Sequence, residues 1–487
     1  MGATASKSDF SNTLVMKFGG TSVGDFNSIR QAALIVARNR KGRNHIVVVT
    51  SAMAGMTNLL LESAQASSKG NRAVYLKASR EIKRKHYAVL KNFELESWHQ
   101  NHVKGKIDEQ IKTFTDLCYA ISILGEASPR ALDAIGAIGE RMSVQLLSAA
   151  IEQNGIATSV VDATDLIVTD DHFQSAHPDL EASAVRIRGV ISECFKQDKI
   201  PVVTGFIAAT ATGITTTLGR GGSDYSAAIL GAALAAEDVW IWTDVDGVMT
   251  ADPAVVDNAA TIGELTYREV AELAYYGAKV LHPKSIRPII DAGIGLRVCN
   301  TFNPEHPGTR IVQDSRPKSN GLIKAVTAIR GISLVTIEGR GMLGVPGVAA
   351  RTFGAVANTG ISVPLITQAS SEQSICFAVP VEASRVVVTT LQKAFSSEIQ
   401  SKDIDQIWAS PEVVIMTVVG AGMQATPGIS GKVFTTLGNQ NVNVIAIAQG
   451  SSEVSISFVI SAAEADIAIQ ALHKMIITLG AGGEKTR

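Results

Sequence analysis

The chain has 487 residues, of which 18% are charged and 46% hydrophobic, with a formal net charge of −1. That length exceeds one ordinary core and predicts two to four domains, while the balance excludes a disordered chain and a strongly basic nucleic-acid surface. With 42 glycines and 5% aromatics the composition favours α/β architecture, and no apolar run reaches the roughly 18–20 residues that span a bilayer.

Residues 1–13 read as a polar, flexible arm without the apolar core of a signal peptide. Cys118, Cys194, Cys299 and Cys376 lack CxxC spacing and read as buried free thiols of a cytoplasmic protein.

The first strand signal is Val15-Met16-Lys17-Phe18, followed by Gly19-Gly20-Thr21-Ser22. A strand that ends in a tight glycine loop with a lysine at its edge suits polyphosphate, although a packing turn has the same pattern. A helix at 29–40 and the apolar run Ile46-Val47-Val48-Val49-Thr50 complete a βαβ unit, and an all-apolar run implies burial on both sheet faces. Ser51 to Asn58 form a second hydroxyl-rich loop. Residues 59–123 read as a helical insertion, interrupted near Lys69-Gly70-Asn71 and Lys104-Gly105. Its basic patch, Arg80, Lys83, Arg84, Lys85 and His86, reads as a solvated helix face.

Glu140, in Gly139-Glu140-Arg141-Met142-Ser143, is expected just before a helix. Parallel-sheet patterning resumes at 157–162 and 200–206. Leu218-Gly219-Arg220-Gly221-Gly222-Ser223-Asp224 follows, ahead of a small-residue helix at 227–236. Arg220 suits a carboxylate in bidentate fashion and the helix start adds positive potential, whereas a capping role for Ser223 or Asp224 is the plainer alternative. The strand 238–242 runs into Thr243-Asp244-Val245-Asp246-Gly247, which a common Asp-Gly turn also explains. Lys279, in Tyr276-Gly277-Ala278-Lys279-Val280-Leu281-His282-Pro283, is a second cation in apolar surroundings, and His282 reads as a turn or packed histidine. Ligand loops thus recur at the C-terminal ends of strands, the edge where open α/β sheets bind ligands. No metal-ligand spacing, Walker A motif or GxSxG elbow occurs.

Turn residues concentrate between Pro304 and Asn320, and beyond them the sequence repeats itself. Gly339-Arg340-Gly341-Met342 with Pro346-Gly347 falls on Gly420-Ala421-Gly422-Met423 with Pro427-Gly428 at an offset of 81 residues. Gln368, Ser370, Ser371 and Glu372 fall likewise on Gln449, Ser451, Ser452 and Glu453. Each unit reads as βαββαβ. The first has its own closing strand at 404–409; the second has none, and 322–329 is expected to supply it, so that removing either unit unfolds the other. The match of 339–344 to GxGxxG is not repeated in the second unit, which argues against dinucleotide binding.

These stretches together resemble the aspartate kinases of the amino-acid-kinase family, from about residue 14 to 477. The resemblance rests on KFGGTS at 17–22, SAMAGMTN at 51–58, GERMS at 139–143, TTLGRGGSDYSA at 216–227, WTDVDGVMTADP at 242–253 and YGAKVLHP at 276–283, with a tandem pair that looks like ACT domains. It implies a catalytic domain at 14–312 with a mainly parallel sheet between helices. Two ferredoxin-like ACT domains follow, at 313–410 and 411–480, with 321–330 closing the second and 481–487 as a tail.

By this resemblance the chain transfers a phosphoryl group from ATP, with Mg²⁺, to the side-chain carboxylate of L-aspartate, the first step toward lysine, threonine and methionine. Lys17, Asp224 and Arg220 would be catalytic. Ser51, Thr57, Glu140, Arg220 and Ser223 would hold aspartate. Lys17, Gly19, Gly20, Thr243, Asp244, Met249, Lys279 and Val280 would hold the nucleotide, although the family often has a tyrosine and an arginine where Met249 and Ala254 stand. Met342, Val345, Gly347, Ser362, Val363, Ile366, Thr367 and Gln368 would line an effector site for threonine, or else lysine. A homodimer or homotetramer through the ACT domains is implied, with neither nucleic acid nor membrane as partner. Some relatives continue into a homoserine dehydrogenase. A glutamate or acetylglutamate kinase and a catalytically silent amino-acid sensor are the alternative readings.

Overall fold

The computed structural model describes Phe10 and residues 12–43, 45–277, 281–313, 322–342, 345–368, 373–450 and 453–482. Two compact units emerge. The first comprises Met1–Val248, Thr261–Tyr267 and Val280–Gln313, and the second Met249–Ala260, Arg268–Lys279 and Asp314–Arg487.

The first unit is built on an eight-stranded sheet flanked by helices. Its order is Glu264–Thr266, Thr309–Val312, Gly295–Asn300, Asp238–Thr243, Thr13–Phe18, His45–Thr50, Ile200–Thr204 and Thr158–Val161. The 295–300/309–312 pair is antiparallel and every other neighbouring pair is parallel. Val15, Val47, Val48 and Val49 are fully buried, as strands covered on both faces must be. The helix Phe26–Arg40 starts where Asp25 accepts the Ser28 N–H at 2.9 Å, satisfying one of the donors that a helix start leaves open.

The helical insertion differs from expectation in where it breaks. Its helices are Met56–Ser68, Arg72–Leu90 and Ser97–Leu124, so the chain turns at 69–71 but runs helically through Lys104-Gly105. A mid-helix glycine costs only about 1 kcal/mol. Val103, Ile107, Ile111, Phe114, Cys118 and Ile121 outweigh that by forming one buried stripe. His86 is likewise fully buried, its Nδ1 2.8 Å from the Ile82 carbonyl oxygen, and not part of a solvated face. Cys118, Cys194, Cys299 and Cys376 are free thiols, the last only half-buried.

Glu140 lies near the middle of the helix Pro129–Glu152, correcting its expected place ahead of a helix. The small-residue helix begins earlier than its composition suggests and spans Gly222–Leu234. Its N-cap is Gly221 at φ 71°, with no side-chain cap, so neither Ser223 nor Asp224 caps it.

In the second unit a seven-stranded antiparallel sheet carries both repeats. One long strand, Ala325–Glu338, serves the two of them. Residues 325–329 pair with 419–415 of the second repeat, whereas 332–338 pair with 380–374 and 335–338 with 409–406 of the first. The register shifts between Ile329 and Ile332, and Gly331 sits there at φ 71°. Segments 249–260 and 268–279, which the sequence suggests as catalytic-domain chain, cluster with this unit instead. Hydrogen bonding accounts for it: Val326 N–H donates to the Thr250 carbonyl at 2.9 Å, and the Thr250 hydroxyl meets His473 Nε2 at 2.8 Å.

The two glycine loops are held differently. Arg340 N–H donates to Asp405 Oδ2 at 3.3 Å within the first repeat. At the equivalent point Ala421 N–H donates to Glu269 Oε1 at 2.7 Å, while Lys324 Nζ reaches Glu269 Oε2 at 2.9 Å. The repeat offset puts Lys324 where the first repeat has Asp405. A lysine cannot accept an N–H, and the buried Glu269 of helix Tyr267–Tyr275 takes over that role.

Candidate active site

The C-terminal edge of the eight-stranded sheet opens into a cleft of about 390 Å³ within the first unit. Lys17 reaches it from the strand Thr13–Phe18, whose end is pinned on both sides. Gly19 N–H donates to the Trp242 carbonyl at 3.0 Å and Ser51 N–H to the Phe18 carbonyl at 3.1 Å. The Gly19 amide is thereby engaged, so it fixes the loop rather than offering a donor to a phosphate. A Cβ at Gly20 would stand 3.0 Å from the Ala52 carbonyl oxygen, which keeps the two loops in close apposition only with glycine there.

Lys17 Nζ lies 2.6 Å from Asp224 Oδ1, with both side chains at most 14% exposed. Asp224 is in the first turn of its helix and orients the ammonium at the cleft wall. Glu140 is 3% exposed and lines the same cleft. Its Oε1 accepts the Ala52 N–H at 3.1 Å, and its Oε2 is buried with no partner among the described residues. Burial pushes its pKa up to about 8 against the opposing pull of the Ala52 N–H. A buried acceptor left open in this way is costly unless a donor arrives.

Ser51, Thr57, Arg220 and Ser223 also line the cleft. Arg220 is exposed, on a loop anchored by the Ser285 hydroxyl, which donates to the Gly221 carbonyl at 3.1 Å. A Cβ on Gly221 would stand 2.7 Å from that hydroxyl. His282 caps the helix Pro283–Ala292 by accepting the Lys284 N–H. Burial lowers its pKa, and Arg220 and Lys284 lower it further.

Two contributors are invisible to motif reading. Asp133, 2% exposed, accepts the Gln174 N–H at 2.9 Å, the Thr217 N–H at 3.0 Å and the Thr217 hydroxyl at 2.8 Å. It lies two helical turns before Glu140 and anchors the strand that leads into the Arg220 loop. An acidic residue inside an apolar helical stripe is the signal that points to it. Phe206 lines the cleft at φ 67°, its N–H donating to Ser226 Oγ at 3.0 Å.

Other expected residues are not gathered there. Thr243 ends the neighbouring strand and Asp244 follows it, neither lining the cleft, and Asp246 is held by Asn300 Nδ2 at 2.8 Å and Asn303 Nδ2 at 3.1 Å. Met249 belongs to the second unit, and Lys279 and Val280 lie outside the described residues. Of the effector candidates, Met342 is 3% exposed and packs in the first repeat's core. Val345, Gly347, Ser362, Ile366 and Gln368 are exposed, and Val363 and Thr367 half-buried. A cleft of about 430 Å³ lies at equivalent positions of the second repeat, between Met423, Gly428, Gln449 and Glu453.

Comparisons with known proteins agree with this architecture. Residues 12–300 match the amino acid kinase family, and 335–395 and 416–476 each match an ACT domain. A bifunctional aspartokinase/homoserine dehydrogenase 2, chloroplastic, of Arabidopsis thaliana is 37% identical over 466 residues, covering 94% of this chain and 50% of that protein. The chain thus spans about half the length of the curated relatives it first matches. Aspartokinase 1, chloroplastic, of the same plant is 32% identical over 483 residues, covering 96% of this chain and 81% of that protein. The crystal structure of E. coli aspartokinase III in complex with aspartate and ADP superposes with a TM-score of 0.80 at 30% identity, over 96% of this chain and 100% of that one. The chain therefore belongs to the amino acid kinase family, in the aspartokinase branch that carries paired ACT domains.

Proposed function

We propose that the chain is an aspartate kinase, which moves the γ-phosphoryl group of ATP to the side-chain carboxylate of L-aspartate and releases 4-phospho-L-aspartate and ADP. The observation that carries this reading is the buried Oε2 of Glu140, unpartnered among the described residues, in one cleft with Lys17, Asp224 and Arg220. Glu140 takes the substrate ammonium and Arg220 its α-carboxylate, which leaves the side-chain carboxylate facing Lys17. The acceptor is already ionised at neutral pH, so no strong general base is required. Lys17 neutralises the transferring phosphoryl group, and Asp224 keeps its ammonium aimed. Thr243, Asp244 and Lys279 contribute to nucleotide binding. Mg²⁺ normally arrives on substrate phosphates with one or two protein oxygens. The exposed carboxylate of Asp244 fits that donor set, and the ion would supply further charge neutralisation.

Aspartate-dependent ADP release, compared with glutamate and acetylglutamate as acceptors, tests the assignment. Acetylglutamate has no ammonium for Glu140 and is expected to be inactive. Faster turnover with it than with aspartate would sink the reading.

The ACT pair supports feedback control by an amino acid. Threonine is favoured over lysine by the Gln-Xaa-Ser-Ser-Glu wording at 368–372 and 449–453, and the cleft on the second repeat supports an effector surface there as well. Coupling of about 1–3 kcal/mol between effector and substrate is the usual scale. Turnover titrated separately with threonine and lysine reads it out, and no response to either would remove the regulatory claim. Assembly into dimers or tetramers through the ACT domains is part of the same proposal and is read from solution mass.

A further inference from the structure

Two adjacent residues of the helix Pro129–Glu152 line two different clefts of the first unit. Glu140 lines the one described above, and Arg141 lines a second of about 400 Å³. The second cleft also lies at the C-terminal edge of the sheet, where the strands Thr158–Val161 and Ile200–Thr204 end.

Its polar groups are incompletely paired. Arg141 uses Nε on Asp162 Oδ2 at 2.7 Å, and its two terminal nitrogens make no hydrogen bond among the described residues. Thr204 is 1% exposed and accepts the Ala163 N–H at 2.8 Å, while its own hydroxyl proton has no acceptor among the described residues. Gln110 Oε1 is buried and has no partner among the described residues. Asp165 adds an exposed carboxylate, and Val144 and Val160 an apolar wall.

The cleft therefore offers donors at Arg141 and Thr204, suited to a carboxylate, and acceptors at Gln110 and Asp165, suited to an ammonium. Glu109, Asp162 and Asp165 against Lys106 and Arg141 give the lining a slight negative excess, which disfavours a phosphate and admits a zwitterion. We propose that this second cleft binds a free α-amino acid, separately from the aspartate cleft and from the ACT repeats. Because Arg141 follows Glu140 on one rigid helix, its occupant has a direct route to the substrate's ammonium site.

Calorimetric titration of the full chain without nucleotide tests this, using each of the twenty standard L-amino acids and, separately, inorganic phosphate. Two variants accompany the wild type. Val160→Trp fills the cleft from a side chain already 39% exposed, and Gln110→Leu replaces the orphan acceptor by an apolar group of similar size. At least one amino acid is expected to show a binding component that Val160→Trp abolishes and Gln110→Leu weakens about tenfold. Aspartate binding at Glu140 persists in both variants. Superimposable isotherms for all twenty, or a Val160→Trp effect confined to phosphate, would overturn the proposal. Glu140→Gln leaves this component intact while removing the aspartate one, so failure here is distinct from failure of the kinase assignment.

Discussion

At the residue scale three buried ionisable groups, Lys17, Glu140 and Asp133, shape the cleft or its supports, and each has its own measurable signature. Lys17→Ala removes a preorganised cation and is expected to lower turnover about a hundredfold or more. It also leaves Asp224 unpaired in a largely buried place, a loss on the order of 3–5 kcal/mol of stability. Steady-state kinetics and thermal unfolding of the variant measure the two separately, and unchanged turnover would count against the mechanism. For Glu140 the sign follows from its raised pKa. Its carboxyl titrates near pH 8 in the folded chain instead of near 4.5, so between those values the folded state holds a proton that the unfolded state has lost. Stability therefore declines as pH rises through that window, and Glu140→Gln should flatten the slope. Arrival of the aspartate ammonium favours the carboxylate and expels the proton. Binding heats below pH 8 are thus expected to depend on the ionisation enthalpy of the buffer, and identical heats in two such buffers would refute the assigned partner. Asp133→Asn loosens the strand before the Arg220 loop. We expect the aspartate KM to rise about tenfold to a hundredfold with the ATP KM unchanged, whereas a purely structural role would lower kcat alone.

At the scale of elements, the charge exchange at the second glycine loop is open to a double-mutant test. Lys324→Asp alone sets a second carboxylate beside the buried Glu269, and Glu269→Lys alone sets two cations together and removes the loop's acceptor. Each should destabilise by about 3–5 kcal/mol. Combined, they restore opposite charges and let the carboxylate introduced in place of Lys324 accept the Ala421 N–H as Asp405 accepts that of Arg340, so the double variant should recover most of the loss in chemical denaturation. Additive losses would show the loop to be held otherwise. The 81-residue repeat that makes this comparison available was legible, because glycine loops punctuate both copies and the ACT matches at 335 and 416 keep that spacing. Glu140 was legible as a site candidate but not in its location. The stretch 139–143 is expected just ahead of a helix, while burial of Ile135, Ile138, Met142 and Leu146 places it inside one. Only the resemblance names Lys17 and Asp224 together as catalytic: they are far apart in sequence, and packing of the helix Gly222–Leu234 on the strand Thr13–Phe18 brings them together.

Across the second unit as a whole, the strand Ala325–Glu338 ties the stability of one repeat to the other. Thr327→Pro removes a backbone donor where Thr327 faces Thr417, and proline in a sheet interior breaks the ladder. Hydrogen exchange should then accelerate at 413–419 and also at 333–338, and acceleration confined to 413–419 would mean that the halves of the strand behave independently. The same strand limits how the chain can be recombined. The second repeat draws one strand from upstream of the first, so grafting it from a relative takes two exchanges of sequence: one at 322–329, and another from residue 413 onward. A single crossover after the first repeat would join a new strand to an old edge, where one residue of slip turns every inward side chain out.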